Sequence, residues 1–457
     1  MLFIANTFYF GLESRLARRF VFWSLLLLVL TCAQSTVAHA TIGIKPRHVE
    51  LPRSGITPEE LGLVVNISDP LSVQVAEYYR KARRIPAENL IPVAFAPGRK
   101  NLPVGEFIRL KQQVDRLTPA AVQAYALAWA TPFRVGCMSI TSAFALGYDP
   151  AWCASACSTT RPSPYYNSSS KYPYSDLGIR PTMMLAAQTI DRARTLIDRG
   201  VRADGRMPTG KVFLLETSDS RRSVRKVFFP EVERLFGAAL EVRVKAADSI
   251  RGGNRILFYF TGSTQVADID RNHYLPGAMA DHLTSAGGVL VGGSQMSAMR
   301  WLEAGATGSY GTVVEPCNYL QKFPNPVLAI HYYLQGNTLL EAYWKSVAMP
   351  GQGVFIGEPL AQPFRGYHLR NQGRRWLVES PQLKRGEFRV LASTEAQKPY
   401  SEVVSKVAVL PSIPGILLPE PTRAYYRIEA LPACPELTAT AEPSSGPSAT
   451  ACAADGF

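Results

Sequence analysis

The stretch Leu61-Gly-Leu-Val-Val-Asn-Ile67 decides the fold class, together with the residues that follow it. Its unbroken apolar character is typical of a strand buried on both faces, and Ser68-Asp69-Pro70 ends it. Apolar residues then recur at helical spacing up to Arg84, and residues 89–95 form a second apolar stretch. A strand, a helix and a strand within about thirty-five residues predict a βαβ unit, and therefore a parallel sheet.

The same alternation continues up to residue 364. We predict helices at residues 107–117, 182–199, 230–240, 278–284, 296–304 and 327–346, and strands at residues 124–130, 212–216, 255–260, 288–291, 305–314 and 354–356. Alternation of this kind places helices on both faces of the sheet. The predicted fold is α/β, with a mostly parallel sheet covered on both faces, over residues 41–366.

Three segments depart from this alternation. An irregular insertion at about residues 137–180 is too long for a simple connection. From Tyr367 the pattern changes to short alternating strands, which predict a small β module over residues 367–436. Residues 437–457 are rich in Ala, Ser, Thr, Pro and Gly, and we expect them to be disordered.

Residues 1–40 predict an export signal. Arg15, Arg18 and Arg19 precede an apolar run at 20–30, and Ala38-His39-Ala40 matches a small-residue cleavage site. The apolar run has about eleven residues, whereas a membrane-spanning helix needs about 20. We therefore expect cleavage near Ala40 and an extracytoplasmic location, periplasmic or secreted. A retained membrane anchor is the alternative.

Composition limits the classes of function. The chain of 457 residues carries 49 Lys and Arg against 36 Asp and Glu, a formal net charge of +13. Its 47% hydrophobic residues and its single long apolar run exclude global disorder and a polytopic membrane protein. For a basic exported protein we expect no nucleic-acid partner. Its positive charge favours contact with an anionic surface of the cell envelope, and a merely soluble protein is the alternative.

Six cysteines follow the predicted cleavage site, and an even number in an oxidising compartment favours disulfides. We expect at least one disulfide from Cys153 or Cys157 in the insertion. Cys137 is the better partner, because that bridge closes a loop of about 16–20 residues. Cys317 is the long-range alternative. Cys153 and Cys157 could instead begin a zinc site, but no second ligand pair follows at useful spacing.

Several motifs within residues 60–364 together resemble an uncharacterised family of exported bacterial proteins. They include Val64-Val-Asn66, Asp69-Pro70, Ala76-Glu-Tyr-Tyr79, Thr131-Pro-Phe133, Asp281-His-Leu-Thr-Ser285, Gly305-Ala-Thr-Gly-Ser-Tyr-Gly311, Glu315-Pro-Cys317, Glu341-Ala-Tyr-Trp344 and Gly357-Glu-Pro359. The resemblance implies an export signal and no particular activity.

A more distant likeness is to gingipain-like cysteine peptidases, whose caspase-type fold orders a strand ending in His-Gly, a strand ending in Cys, a helix and a strand beginning Gly-Ala. The corresponding elements here end at Thr261-Gly262 and at Gly293-Ser294, followed by residues 296–304 and Gly305-Ala306. Thr261 replaces the His, and Gly293 or Ser294 replaces the Cys. Because a thiolate nucleophile needs sulfur and an adjacent base, the likeness implies the fold and argues against a peptidase at this site.

Cys317 is the best remaining candidate nucleophile, since it follows a predicted strand in a Gly-rich neighbourhood. His273, His282 and His331 are candidate bases for it, and a disulfide or a buried structural cysteine is the alternative. The sequence predicts no metal and no cofactor.

Polar residues also follow several predicted strands. In an open parallel sheet the carboxyl ends of the strands share one edge, where ligands bind. The residues expected at this binding edge are Asn66, Asp69, Thr131, Thr261, Ser263, Ser294 and Glu358.

Two functions remain open at this stage. The missing His and Cys favour a non-catalytic, exported binding or envelope-associated protein on a peptidase-like scaffold. The alternative is an extracytoplasmic hydrolase, a cysteine peptidase that uses Cys317.

Overall fold

The structure is a computed structural model that describes residues 45–154, 157–383, 386–409, 415–419 and 424–431. The predicted export signal and the C-terminal residues from 437 onward lie outside these ranges. Within them, no helix combines the length and the apolar character that a membrane span requires.

The strands and helices follow each other along the chain in an α/β pattern. The strands are β1 (His48–Glu50), β2 (Leu61–Asn66), β3 (Leu90–Val93), β4 (Asn101–Leu102), β5 (Ala124–Leu127), β6 (Arg134–Val135), β7 (Met138–Ser139), β8 (Thr182–Met184), β9 (Lys211–Glu216), β10 (Glu241–Ala246), β11 (Ile256–Gly262), β12 (Tyr274–Leu283), β13 (Gly308–Thr312), β14 (Gly353–Gly357), β15 (His368–Gln372), β16 (Arg375–Glu379), β17 (Gly386–Ser393), β18 (Ser401–Val409), β19 (Gly415–Leu417) and β20 (Tyr425–Ala430). The α-helices are α1 (Pro70–Arg83), α2 (Val104–Leu117), α3 (Ile140–Leu146), α4 (Pro173–Leu177), α5 (Ile190–Ala203), α6 (Phe229–Phe236), α7 (Met299–Ala304), α8 (Pro326–Leu334) and α9 (Leu339–Ser346).

A ten-stranded sheet forms the centre of the molecule, in the order β10-β9-β11-β12-β13-β14-β8-β5-β2-β3. Each neighbouring pair is parallel except β13 and β14, which are antiparallel with Gly308 opposite Gly357. We call β14, β8, β5, β2 and β3 the first half-sheet, and β10, β9, β11, β12 and β13 the second half-sheet. The sheet is therefore mixed, with two parallel halves that run in opposite directions.

Helices cover both faces of this sheet, as the sequence predicts. Every residue of β2 is buried, and its side chains alternate between two cores. Leu63 and Val65 belong to the core that includes α1, α5, α6, α8 and α9, whereas Val64 belongs to the core that includes α2, α3 and α7. Alternating side chains of one strand point to opposite faces, so these two cores lie on the two faces of the sheet, between the strands and the helices.

The predicted βαβ unit is present as β2, α1 and β3. Asp69 caps α1 by accepting a hydrogen bond from the backbone N of Leu71, and Pro70 occupies the first turn. The helix ends at Arg84, whose φ of 54° lies in the left-handed region. Local sequence signals therefore account for both ends of α1.

The structure differs from four of the predicted elements. Residues 278–283 of the predicted helix 278–284 lie in β12, and the stretch predicted as strand 288–291 contains no strand. The predicted helix 182–199 begins instead as β8, and the predicted helix 327–346 is two helices separated at Gly336, with φ of 80°. Ala, Met and Leu favour helix, but pairing of β12 with both β11 and β13 overrides that propensity.

A small β module follows the α/β layers. It contains the sheet β1-β20-β17-β18 and the sheet β15-β16-β19, which share one apolar core. β1 precedes the α/β elements in the chain, yet it pairs in parallel with β20. The module therefore includes a strand from residues that the sequence assigns to the α/β domain.

Candidate functional site

The residues predicted at one binding edge do not meet there. Asn66, Asp69, Thr131 and Glu358 follow strands of the first half-sheet, whereas Thr261 and Ser263 lie at the end of β11 in the second half-sheet. Because the half-sheets run in opposite directions, their carboxyl ends lie at opposite edges. This arrangement corrects the expectation of a single site.

At the edge of the first half-sheet, the polar residues stabilise loops. The Asn66 Nδ2 donates to the Phe95 carbonyl oxygen at 3.0 Å, and its Oδ1 accepts from the backbone N of Ser68 and of Phe95. Asp69 caps α1, and Thr131 precedes a cis peptide bond to Pro132. The hydrogen bonds of Asn66 use both the nitrogen and the oxygen of its side-chain amide. This side chain therefore connects the ends of β2 and β3 and does not face a ligand.

Glu358 lies at the centre of a buried ion pair. Its carboxylate accepts from the Tyr79 hydroxyl at 2.6 Å and from the Leu360 backbone N at 3.2 Å, and it pairs with Arg83. Burial alone would lower the pKa of Arg83, but Glu358, Tyr79 and Asp204 together outweigh burial and raise that pKa. Arg83 also pairs with Asp204, so this cluster fastens α1 to the end of β14 and to the end of α5.

At the edge of the second half-sheet, the strand after β11 ends at Leu283, not at the predicted Gly293 and Ser294. Thr284 therefore occupies the position beyond the strand, where the helix predicted for residues 278–284 hides it from a search for residues at strand ends. The Thr284 hydroxyl accepts from Arg222 Nε at 3.0 Å and donates to Gln295 Oε1 at 2.8 Å. Arg222 in turn pairs with Asp219 at 2.8 Å.

The hydroxyls at this edge lack the features of an activated nucleophile. A hydroxyl nucleophile needs a base that takes its proton, and the acceptor of the Thr284 proton is an uncharged amide oxygen. The Thr261 hydroxyl is buried without a hydrogen-bond partner among the described residues, and the Ser263 hydroxyl donates to the Gln265 carbonyl oxygen at 2.7 Å. Ser294 is exposed in the following loop.

The candidate bases are also separated from each other. His273 precedes Tyr274, which pairs with Ile256 of β11, and His282 pairs with Thr261, so about six residues of β11 at about 3.3 Å each place the two histidines on the order of 20 Å apart. His282 Nδ1 accepts from Trp301 Nε1 at 2.9 Å, and Nε2 lies 3.0 Å from the Met296 carbonyl oxygen. Burial lowers the pKa of His282 to about 4. It is a neutral, fully engaged core histidine.

Cys317 does not carry a free thiol in this structure. Its sulfur forms a disulfide with Cys157, with Cα atoms 5.5 Å apart, and Cys137 forms a disulfide with Cys153, with Cα atoms 5.6 Å apart. Both bridges hold the irregular insertion, as expected for that segment. Nucleophilic attack by Cys317 would require reduction of its disulfide, because the thiolate is the reactive form.

A large concave feature lies where the β module meets the α/β layers, and we call it the junction cleft. Its volume is about 750 Å³, and four Lys or Arg side chains line it against one carboxylate, Glu387. The charged and aromatic residues that line it are Arg53, Lys171, His331, Tyr332, Lys345, Glu387, Phe388 and Lys406. Because Lys406 pairs with Glu387 at 2.8 Å, the net positive charge of the cleft comes from Arg53, Lys171 and Lys345.

Lys345 is the buried cation of the junction cleft. Its Nζ donates to the Ser170 carbonyl oxygen at 2.9 Å and lies 4.9 Å from the ring centres of Tyr165 and Tyr332. Burial lowers the pKa of Lys345, and nearby Lys171 lowers it further, against the opposing effect of Glu341. The cleft thus holds a positive charge in surroundings that penalise it.

Lys171 and Arg53 bring two more cations to the same place. The Lys171 Nζ donates to the Arg53 carbonyl oxygen at 2.6 Å, and partial burial together with the Arg53 charge lowers the pKa of Lys171. Arg53 itself pairs with Glu60. Across the described ranges, neither Lys171 nor Lys345 has a carboxylate oxygen within the 4.0 Å of a salt bridge. Their charges are left for an anion to balance.

Glu341 does not neutralise these lysines directly. Its carboxylate accepts from the backbone N of Ile56 and of Thr338, each at 3.0 Å, from the Thr338 hydroxyl at 2.8 Å and from the Tyr165 hydroxyl at 3.2 Å. Four neutral donors therefore use its lone pairs. The sequence gives no sign of the cleft, because its cations come from four distant segments.

Comparisons with known proteins give distant likenesses only. No protein-family model and no curated protein matches the chain. A solved structure of a protease is 10% identical with a TM-score of 0.41, covering 79% of this chain and 97% of that one. The complex of the pro- and mature domains of RgpB from Porphyromonas gingivalis is 7% identical with a TM-score of 0.38, covering 81% of this chain and 99% of that one. Because both TM-scores are below 0.5, they assign neither a fold family nor a function.

Proposed function

We propose that this protein is a non-catalytic extracytoplasmic binding protein that holds an acidic glycan of the cell envelope in the junction cleft. The observation that carries the proposal is the grouping of Arg53, Lys171 and Lys345, of which the two lysines have no carboxylate partner within the described ranges. A concave cleft fits a chain-like anion better than a flat bilayer surface, and the rings of Tyr332 and Phe388 add apolar contact area.

Two observations support a role without catalysis. The four cysteines within the described ranges all form disulfides, and both ring nitrogens of His282 are engaged. The hydroxyl beyond β12, that of Thr284, contacts an arginine and an amide rather than a base. These candidate groups therefore do not form the pair of nucleophile and base that acyl transfer needs.

Binding of polygalacturonate fragments tests the ligand class. We expect saturable binding that weakens with added salt, because exposed charges are screened within about 8 Å at physiological ionic strength. Lys171→Gln and Lys345→Gln should each weaken binding at least fivefold, measured by isothermal titration calorimetry. Lys226→Gln is the matched control, because it removes an exposed lysine that does not line the cleft.

These binding measurements decide whether the ligand of the junction cleft is an acidic glycan or a membrane surface. Equal affinity for a neutral glucan, or an unchanged affinity in both cleft variants, would contradict the proposal. Binding to vesicles of anionic phospholipid without binding to polygalacturonate would show that the partner is a bilayer surface instead. A melting temperature within a few degrees of the wild type must accompany each variant.

The hydrolase alternative has its own signature. If Cys317 were a nucleophile, mild reduction would release a thiol-dependent hydrolysis of peptide or ester substrates. That activity would be lost in Cys317→Ser and kept in Cys137→Ser. We expect neither the oxidised nor the reduced protein to hydrolyse such substrates.

Export is part of the proposal, since two disulfides are compatible with an oxidising compartment. We expect the mature chain to begin near Thr41, after cleavage that follows Ala40. N-terminal sequencing of protein recovered from outside the cytoplasm tests this. An intact Met1 on the recovered protein would favour the membrane-anchor alternative.

A further inference from the structure

A second pocket, smaller than the junction cleft, lies between α5 and α7. Its volume is about 220 Å³, and it includes Ala186 and Ala187, which follow β8 at the carboxyl edge of the first half-sheet. α5 follows β8 of the first half-sheet in the chain, whereas α7 leads into β13 of the second half-sheet. The pocket therefore lies where elements of the two half-sheets meet.

Arg199 is the buried cation of this pocket. Its side chain is 8% exposed, and its Nη2 donates to the carbonyl oxygens of Leu302 at 3.0 Å and Ala306 at 2.5 Å. Its Nε has no hydrogen-bond partner among the described residues. No carboxylate in the described part of the chain forms an ion pair with it, in contrast to buried Arg83 and Arg225, which pair with Glu358 and Asp281.

A buried guanidinium without an anion is costly. Two carbonyl oxygens satisfy part of its donor set, but they carry no net charge to balance it. Burial and the neighbouring charge of Arg202 lower the pKa of Arg199 to about 10, which still leaves it protonated at neutral pH. Arg199 is therefore a fixed positive charge at the wall of a cavity, with no balancing carboxylate in the described part of the chain.

The mouth of the pocket is cationic as well. Arg192 and Arg300 are about half exposed there, and both pair with the carboxylate that lines the pocket, Glu303. Three arginines against one glutamate leave two positive charges at the pocket. The rest of the wall is mostly apolar, from Ala186, Ala187, Leu196, Met299 and Leu302.

We infer that this pocket binds a small aliphatic carboxylate, with the carboxylate group on Arg199 and the short hydrocarbon chain against the apolar wall. A planar guanidinium matches a carboxylate in geometry as well as in charge. The small volume and the apolar wall favour a monocarboxylate of a few carbons over inorganic phosphate, whose oxygens would face methyl groups. This site does not depend on the junction cleft and goes beyond the proposed function.

Butyrate is the probe, titrated into the full mature protein by isothermal titration calorimetry with chloride at equal ionic strength as the reference. We expect saturable binding in the millimolar range, about −4 kcal/mol at 1 mM. Arg199→Met should weaken binding at least tenfold. Arg194→Met is the matched control, because it removes an exposed arginine of the same helix that does not line the pocket, and it should leave binding unchanged.

A second variant keeps the test valid if Arg199→Met does not fold. Thr195→Trp places a large ring at an exposed position of the pocket wall without changing Arg199, and it should also abolish butyrate binding. Absence of saturable binding by the wild type, or binding that survives Thr195→Trp, would overturn the site. Phosphate binding as strong as that of butyrate would overturn the carboxylate assignment. Because none of these readouts involves polygalacturonate, failure here is distinguishable from failure of the proposed function.

Discussion

At the scale of single residues, buried arginines such as Arg83 and Arg225 pair with buried carboxylates. Arg83 and Glu358 form such a pair, and we expect Glu358→Gln to lower the free energy of unfolding by about 3–5 kcal/mol, because it leaves the Arg83 charge buried and incompletely paired. Urea denaturation measures this change. Glu231→Gln removes an exposed partner of Arg234 and should change the free energy of unfolding far less than Glu358→Gln does. Equal effects of the two changes would show that the buried pair is not stabilising.

His282 makes stability depend on pH. Its pKa of about 4 in the folded protein lies below the ordinary value of 6.5, so the unfolded chain binds a proton more readily. The contribution of His282 is therefore fully present above pH 6.5 and is lost as the pH falls towards 4, by about 3 kcal/mol in total. In His282→Gln the free energy of unfolding should fall less steeply between pH 6.5 and 4, as measured by urea denaturation. His48→Gln, at an exposed histidine, should keep the wild-type slope.

At the scale of elements, the two disulfides constrain loops of very different length. The bridge from Cys157 to Cys317 spans 160 residues, and the bridge from Cys137 to Cys153 spans 16. The chain-entropy relation gives a stabilisation of about 5 kcal/mol for the longer loop and about 3 kcal/mol for the shorter one. We therefore expect the paired change of Cys157 and Cys317 to Ala to destabilise the protein more than the paired change of Cys137 and Cys153, in urea denaturation. The reverse order would contradict the loop-length argument.

Elements also show what the sequence can and cannot predict. The βαβ unit at 61–95 is predictable because each of its signals is local: an apolar run, the Asp69 cap with Pro70, and a second apolar run. β12 is not, because the helix formers of residues 278–284 become a strand only through pairing with β11 and β13. The opposite direction of the half-sheets depends on β14 entering beside β13, a pairing between distant segments. The prediction of a single binding edge is wrong because this antiparallel pairing places the carboxyl ends of the two half-sheets at opposite edges.

At the scale of the whole molecule, the cations of the junction cleft come together only after the fold has formed. Arg53 precedes the first strand of the large sheet, Lys171 belongs to the insertion, Lys345 to α9, and Lys406 to β18 of the β module. No local pattern marks such a set. The same holds for Arg199, which reads in the sequence as an ordinary polar residue of an amphipathic helix and becomes a site only where α7 covers it.

The seam between the half-sheets is held together by close backbone contact. Gly308 and Gly357 pair across β13 and β14, and a Cβ on Gly357 would lie 2.5 Å from the Thr307 carbonyl oxygen and 2.8 Å from the Gly308 Cα. Its φ of 144° also disfavours any side chain. We expect Gly357→Ala to lower the free energy of unfolding by more than about 2 kcal/mol, since backbone strain and overpacking act together.

Gly105→Ala is the matched control for the seam, because that glycine lies in α2 and a Cβ there meets only the end of the Arg109 side chain at 3.9 Å. In a helix this change should stabilise the protein by about 0.5–1 kcal/mol, so the two variants are expected to shift the melting temperature in opposite directions. Hydrogen exchange then tests whether the seam couples the halves: Gly357→Ala should speed exchange in β9 and β11 as well as in β5 and β2. Faster exchange in the first half-sheet alone would show that the two parallel halves open independently.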